Sequence, residues 1–205
     1  MYYEYKNEFD STGTTDHLRD ISNEFASFMK ASTTRGDDGS VTNFIYEVGD
    51  DGADHGKWRA PELMPGRGSG EFYSTSSGAS DVAAQYAAAL AQSYINFGNS
   101  EDLDYAIALY DFAAKYRTIT YDQMTYSDKS AEDDIAWAAN WLYLATKDDS
   151  YLADAAKDTS STNDWTNDYY YGDLWLGAAL INAEITGNWT APVNYIKGVV
   201  NANQG

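Results

Sequence analysis

Apolar residues recur every three or four positions through most of this chain, the spacing that places them on one face of an α-helix. The first such stripe is formed by Leu18, Ile21, Phe25 and Phe28, and it predicts a helix over about residues 16–31. The same pattern predicts six later helices, over about residues 80–97, 100–116, 131–147, 151–156, 173–186 and from 192 onward. Sustained alternation is nearly absent, and Asn43–Val48 is the clearest extended run. The pattern therefore predicts an all-α fold.

Short connections join the predicted helices, and this places consecutive helices side by side and antiparallel. Gly98 and Gly187 are typical helix stops, and Asn99 or Ser100 is a suitable cap for the helix that follows. Antiparallel helical hairpins arranged around a centre form an (α/α) barrel. Residues 1–14 are polar and are expected to be poorly ordered, or packed only through Tyr2, Tyr3 and Phe9. Residues 15–205 are expected to form one helical domain.

Composition restricts the partners. The 205 residues carry a formal net charge of −19, which opposes binding to nucleic acid and to anionic membranes because both are polyanions. The longest apolar run is too short to span a bilayer, and Met1–Lys6 lacks the basic-then-apolar pattern of a secretion signal. The absence of cysteine excludes disulfides and thiolate metal sites. No organic cofactor is expected, and the 15% of aromatic residues suits carbohydrate contact.

One loop, Val48–Met64, concentrates reactive and polar side chains. It brings Asp54, His55, Trp58 and Arg59 close together along the chain. A pyranose has an apolar face and a rim of hydroxyls, so an aromatic ring beside hydrogen-bonding groups is what a sugar site requires. A long connection held in place by one buried tryptophan is the alternative explanation of these residues.

Several separated motifs carry a family resemblance. They are VGDDGADHGKWRAPELM at 48–64, SGASDVAAQYAAALA at 77–91, DDIAWAANWLYLAT at 133–146 and DDSYL at 148–152. In this order they resemble glycoside hydrolase family 9, the inverting cellulases, from about Leu18 onward. The resemblance implies twelve helices in two concentric rings, endo-hydrolysis of β-1,4 links in cellulose or a related β-glucan, and secretion. Since about seven helices are predicted, the chain resembles a partial (α/α)6 barrel, the central portion of that catalytic domain.

The catalytic carboxylates of that family have no match in the sequence. Inverting glycosidases hold two carboxyl groups about 6.5–9.5 Å apart, one to protonate the leaving oxygen and one to activate water. In the family the base lies in an Asp-x-Gly-Asp segment near the domain start and the acid is a Glu near its end. Residues 1–15 contain no such segment, and no acid follows Glu184. Asp54 and Glu62 are the candidate replacements, although we favour a role in orienting His55 and Arg59 or Arg67.

His55 and Trp58 are the predicted sugar-binding pair. By resemblance, DHGKW at 54–58 falls on a segment in which the His bonds sugar hydroxyls and the Trp stacks on a glucose ring. An imidazole both donates and accepts hydrogen bonds, and an indole offers the largest flat face. A buried Trp beside a His that satisfies a loop carbonyl is the alternative. Arg67, Tyr126 and Trp165 are further candidates for the cleft, although the two aromatic residues equally suit a core.

The start of the helix near residue 131 is a candidate metal site. Asp133 and Asp134 follow Ser130, and capping of the helix by Ser130 explains part of this pattern. Calcium is the other explanation, because it binds six to eight oxygens, mostly from carboxylates and carbonyls. The family resemblance implies a structural Ca²⁺ held by an acidic pair at this place and by a later Asp. The candidate ligands are therefore Ser130, Asp133, Asp134 and Asp173.

These observations predict an incomplete catalytic domain of a family-9-like endo-β-1,4-glucanase. A non-catalytic glucan-binding or scaffold module with a retained aromatic cleft is the first alternative, and a helical-barrel enzyme acting on another sugar is the second. Half of a helical barrel leaves an open apolar flank. We therefore expect self-association of the chain or its completion by the rest of a parent protein.

Overall fold

The computed structural model of the chain describes residues 1–49, 55–56, 58–63, 71–119, 128–156 and 172–202. The helices within these residues are α1 (Lys6–Thr12), α2 (Thr15–Ala31), α3 (Ser80–Phe97), α4 (Ser100–Tyr116), α5 (Glu132–Thr146), α6 (Leu152–Ala155), α7 (Trp175–Thr186) and α8 (Thr190–Ala202). The strands are β1 (Thr33–Arg35), β2 (Val41–Val48) and β3 (Phe72–Thr75), and single 3₁₀ turns cover Pro61–Leu63 and Asp149–Tyr151. None of the helices in this part of the chain is long and apolar enough to cross a membrane.

Three consecutive helical pairs form the body of the fold. Helices α3, α5 and α7 pack in a row, and α4, α6 and α8 each pack against the helix that precedes them. Two rows of alternating helices are the arrangement expected for part of an (α/α)6 barrel built from antiparallel hairpins. The predicted fold class is confirmed, with a small sheet added to a chain that is mainly helical.

The joints between paired helices share one local design. Each joint places a residue with positive φ directly before an Asn or Asp whose side chain accepts a hydrogen bond from the N–H two residues later. The three pairs are Gly98–Asn99, Lys147–Asp148 and Gly187–Asn188. The positive φ ends one helix, and the Asn or Asp oxygen satisfies an N–H that the next helix leaves without a partner. Local sequence therefore fixes each reversal of the chain.

Alanine dominates the contact between α3 and its neighbours. Five α3 alanines have no exposed surface: Ala83, Ala84, Ala87, Ala88 and Ala91. Small side chains at a helix contact reduce the distance between the two helix axes. This explains how α3 packs closely against both α4 and α5.

The three-stranded antiparallel sheet, in the order β1-β2-β3, extends the one predicted extended run at Asn43–Val48. Its outer strands have only three and four residues, too few for an alternating pattern to be recognised in the sequence. Phe44 of β2 is buried and makes an edge contact with Phe112 of α4, with ring centroids 5.4 Å apart. The sheet is thereby fixed to the helical body.

The first 14 residues contact the helical body through an aromatic ring. They include α1, and the buried ring of Tyr2 stacks on Phe97 with centroids 5.4 Å apart and meets the edge of Phe9 at 5.6 Å. Aromatic packing of this kind anchors a segment whose sequence is otherwise polar.

Candidate functional site

The sheet holds together the two ends of the segment between β2 and β3, which contains most of the loop Val48–Met64. Gly49 follows β2, and its N–H donates to the carbonyl of Glu71, which precedes β3, at 2.7 Å. Gly49 has φ 121°, a conformation that favours glycine. The hydroxyl of Tyr86 on α3 donates to the carbonyl of Ile45 in β2 at 3.4 Å, which ties the sheet to α3. The loop is therefore anchored at its base to the helical body.

His55 and Trp58 both lie exposed on this loop, and the indole of Trp58 is fully accessible to solvent. Two residues separate them, so covalent geometry limits their Cα atoms to at most about 11 Å apart. A fully exposed indole contributes nothing to a core, and this removes the alternative in which Trp58 holds the loop in place from the interior. The sugar-binding role of the pair stays a prediction.

Glu62, one of the two carboxylates considered as catalytic replacements, does not have the surroundings of a typical catalytic acid. Glu62 is exposed and lies in the Pro61–Leu63 turn, where Arg59 Nη1 donates to the carbonyl of Leu63 at 3.5 Å. A catalytic acid is normally kept protonated by burial or by a neighbouring negative charge. Four candidates, Asp54, Arg67, Tyr126 and Trp165, lie outside the described residues.

A buried cluster of carboxylates lies at the start of α5. Asp128, Asp133 and Asp134 each offer one oxygen, and these three oxygens lie within 4.8 Å of one another. All three side chains are buried, and Asp134 has no exposed surface. We call these three residues the acidic triad.

One oxygen of each triad carboxylate is held by a neighbouring donor. Asp134 Oδ1 accepts from Gln85 Nε2 of α3 at 2.8 Å. Asp133 Oδ2 accepts from the N–H of Leu174 at 2.7 Å, and Asp128 Oδ1 accepts from the N–H groups of the next two residues. Asp134 Oδ2 is buried and has no hydrogen-bond partner among the described residues. The triad thus joins α5 to α3, to the start of α7 and to the segment before α5.

Burial and mutual repulsion raise the pKa values of all three carboxyl groups of the triad. Desolvation raises the pKa of Asp133 to about 6, helped by the charges of Asp128 and Asp173. Desolvation also raises the pKa of Asp134 well above its usual value, and the charges of Asp133 and Asp128 add to that effect. The pKa of Asp128 is raised as well, again by burial first. A cluster of this kind requires a proton or a cation to offset its charge.

The structure brings only two of the four predicted metal ligands together in the acidic triad. Asp133 and Asp134 lie together in the triad, whereas Asp173 lies outside the 4.8 Å group and its Oδ1 accepts from the N–H of Trp175 at 3.3 Å. Ser130 Oγ accepts from the N–H of Glu132 at 3.1 Å, although Ala131 and not Ser130 occupies the cap position of α5. Sequence reasoning missed Asp128, whose five-residue separation from Asp133 matches no helical or metal-ligand spacing.

The sequence profile of glycosyl hydrolase family 9 matches residues 1–204. Endoglucanase 4 of Bacillus sp. (strain KSM-522) is 34% identical over 182 residues, which cover 82% of this chain and 27% of that protein. The chain thus spans about a quarter of the length of this relative.

Solved structures are also similar to this chain in sequence and in fold. The catalytic domain of CelT from Clostridium thermocellum superposes with a TM-score of 0.76 and 32% identity, and the match covers 100% of this chain and 44% of that one. The cellulase Cel9M of C. cellulolyticum, in complex with cellobiose, gives a TM-score of 0.76 and 31% identity over 98% of this chain and 48% of that one.

Proposed function

This chain belongs to glycosyl hydrolase family 9, and from that premise we propose that it forms part of the catalytic domain of an endo-β-1,4-glucanase. The proposed reaction is hydrolysis of internal links in cellulose or a related β-glucan, with inversion. Its named relative is an endoglucanase, and the Cel9M structure was determined with cellobiose, a β-1,4-linked glucose disaccharide. Secretion of the protein is part of the same proposal, because polymeric cellulose lies outside the cell.

The observation that carries the proposal is the exposed pair His55 and Trp58 on the anchored loop. The indole presents a flat apolar face to the sugar ring, and the imidazole bonds its hydroxyls as donor and acceptor. The sheet supports this loop from below, since Gly49 and Glu71 are hydrogen-bonded at its base. This arrangement supplies substrate contacts and does not by itself supply proton transfer.

Glucan binding without hydrolysis is the second candidate for the chain in isolation. It is favoured by the exposure of Glu62, which lacks the protected environment that a catalytic acid requires. A catalytic pair must also be held to fractions of an ångström by its surroundings. We propose that the chain acts catalytically only when further polypeptide supplies the two carboxylates that have no match here.

A structural Ca²⁺ at the start of α5 is part of the proposal. The orphaned, buried Asp134 Oδ2 and the set of carboxylate oxygens suit a hard divalent cation. Asp133 and Asp134 would hold it, with Ser130 and Asp173 as the other ligands predicted from the sequence. When bound, the ion supplies charge neutralisation and crosslinks the segments that meet there. Its role is to hold the start of α5 in place.

The binding proposal is tested with Trp58→Ala, and Trp189→Ala serves as the matched control because it removes another exposed tryptophan. Affinity electrophoresis in gels containing a soluble β-glucan measures the retardation of each variant. We expect Trp58→Ala to lose about tenfold in affinity, since stacking on an aromatic ring is worth about 1 kcal/mol beyond its buried area. Trp189→Ala should migrate like the parent chain.

A reducing-sugar assay on the same glucan tests whether the isolated chain lacks catalysis. Retardation without release of reducing ends supports glucan binding without hydrolysis by the isolated chain, whereas release would contradict the proposal that further polypeptide must supply the carboxylates. Migration of the parent chain unaffected by glucan, or equal retardation of Trp58→Ala and the parent, would contradict the proposed sugar site.

A further inference from the structure

We propose that Asp128 is a direct ligand of the cation at the start of α5, and that it completes a three-carboxylate set with Asp133 and Asp134. This inference rests on the proposed cation site and replaces Asp173 by Asp128 in its ligand set. The site so defined takes a hard divalent cation of the size of Ca²⁺.

The distances between ligand oxygens carry the first step. Two oxygens bound to one Ca²⁺ at 2.3–2.6 Å lie at most about 5 Å apart. The oxygens offered by Asp128, Asp133 and Asp134 satisfy this limit, because all lie within 4.8 Å of one another. Asp173 is not a member of that group, although its charge acts on Asp133.

The second step is that Asp128 is fixed in position before any cation arrives. Its Oδ1 accepts from the N–H of Lys129 at 2.6 Å and from the N–H of Ser130 at 3.1 Å. The side chain is only 7% exposed. A carboxylate that is already immobilised loses little conformational freedom on binding a metal, which favours it as a ligand over a mobile surface acid.

The third step is the concentration of negative charge. Asp128, Asp133 and Asp134 are all acids, and all three are buried. Gln85 donates to Oδ1 of Asp134 and leaves Oδ2 buried without a hydrogen-bond partner among the described residues. Either a proton shared within the triad or a bound cation offsets such a charge, and three carboxylates within 4.8 Å favour the cation.

Ser130 is less suited to this place than Asp128. Its hydroxyl oxygen already accepts from the N–H of Glu132 at 3.1 Å, and a neutral oxygen contributes less to the attraction of a divalent ion than a carboxylate does. The full negative charge of the set therefore depends on Asp128.

The test compares Asp128→Asn with Asp173→Asn and with the control Asp149→Asn in the 205-residue chain. The Asn side chain keeps the oxygen that accepts from the two backbone N–H groups and removes only the charge. Asp149 is exposed beyond the far end of α5, and the 15 residues of that helix place it about 22 Å from Asp133. At physiological salt a charge at that distance is screened.

Each protein is stripped with a chelator and titrated with CaCl₂ by isothermal calorimetry, and its thermal midpoint is recorded with chelator and with CaCl₂. Since even outer-shell ligands change metal affinity by 10–100-fold, Asp128→Asn should weaken Ca²⁺ binding by at least about tenfold. In chelator its midpoint should rise above that of the parent, because one of three repelling charges is gone. Asp149→Asn and Asp173→Asn should bind Ca²⁺ as the parent does.

The outcomes separate this inference from the proposal on which it rests. A parent chain without saturable Ca²⁺ binding overturns the cation site and the ligand assignment together, and it supports a shared proton. A parent chain that binds Ca²⁺ while Asp128→Asn binds equally well overturns only the assignment of Asp128. Loss of binding in Asp173→Asn with binding retained in Asp128→Asn restores the set predicted from the sequence.

Discussion

Replacing Asn140 by aspartate tests the polar contact that links three helices. Asn140 has no exposed surface, and its Nδ2 lies 2.8 Å from the carbonyl oxygen of Ala136 and 3.3 Å from those of Ala155 and Ala178. Ala155 ends α6, so its carbonyl has no partner within that helix. In Asn140→Asp the new side chain has the same shape, with an oxygen facing three oxygens in place of a donor.

The magnitude follows from the protonation of that new carboxyl group. Only the protonated carboxyl group donates a hydrogen bond to the carbonyls, and burial disfavours its charged form. Both effects keep the new carboxyl group protonated in the folded variant. Taking an unfolded pKa of about 3.9 and 1.36 kcal/mol per pKa unit, holding the proton costs about 4 kcal/mol at pH 7 and about 1.5 kcal/mol at pH 5. The folded-state pKa is raised, so the loss of stability relative to the parent grows as the pH rises.

The assay is urea unfolding of the parent chain and Asn140→Asp at pH 5, 6 and 7, followed by circular dichroism. Subtracting the parent at each pH removes the contribution of all other titrating groups. Asn182→Ala is the control, because it removes only a 3.3 Å bond from Asn182 Nδ2 to Asn140 Oδ1. A variant that folds at pH 5 and fails to fold at pH 7 agrees with the prediction. A penalty below about 1 kcal/mol at pH 7, or one that does not change with pH, refutes the reasoning.

Three further predictions follow from the same structure. Lys30 Nζ lies 2.7 Å from the fully buried carboxylate of Asp102, so Lys30→Met removes the countercharge of that carboxylate and should lower the free energy of unfolding in urea by about 3 kcal/mol. Arg19→Met breaks an exposed pair and should cost less than about 1 kcal/mol. In chelator the thermal midpoint should fall as the pH rises from about 4 to 6, since the raised pKa of Asp133 makes the folded chain bind protons more tightly than the unfolded chain does; CaCl₂ should oppose that fall, and a flat profile contradicts the pKa assignment. Sedimentation velocity should show concentration-dependent association that Ile196→Asp on the exposed face of α8 reduces, and a parent chain that stays monomeric at all concentrations refutes it.

The sequence predicted the helical body well because the signals for it are local. The joint at Gly98–Asn99 combines a helix stop and a cap in adjacent residues, and the observed bounds of α3 and α4 agree with the predicted ones. The start of α3 depends instead on a distant contact. Ala79 occupies the cap position, and Ser80 Oγ accepts from the N–H of Thr118, a residue far along the chain.

The sheet and the acidic triad depend on contacts that local patterns do not encode. The strand β3 is recognisable only through its pairing with β2, in which Phe44 lies opposite Thr75. Asp128 joins the triad because of the turn formed by its own hydrogen bonds to Lys129 and Ser130, and no periodic spacing links it to Asp133. The pair Asp133–Asp134 was predicted because adjacent acids at a helix start are visible in the sequence.

Helix α5 combines these two kinds of interaction along its length. Its first turn carries Asp133 and Asp134, whose buried charges oppose folding unless a proton or a cation offsets them. Asn140 lies two helical turns after Asp133 on the same face and there satisfies carbonyls of α6 and α7. The neutral amide does not titrate, so its contribution does not depend on pH or on a cation, whereas the contribution of the first turn depends on what occupies the triad. The contacts that hold the middle of α5 in the row are therefore independent of pH and of a cation. Those at its start depend on a proton or a cation in the triad.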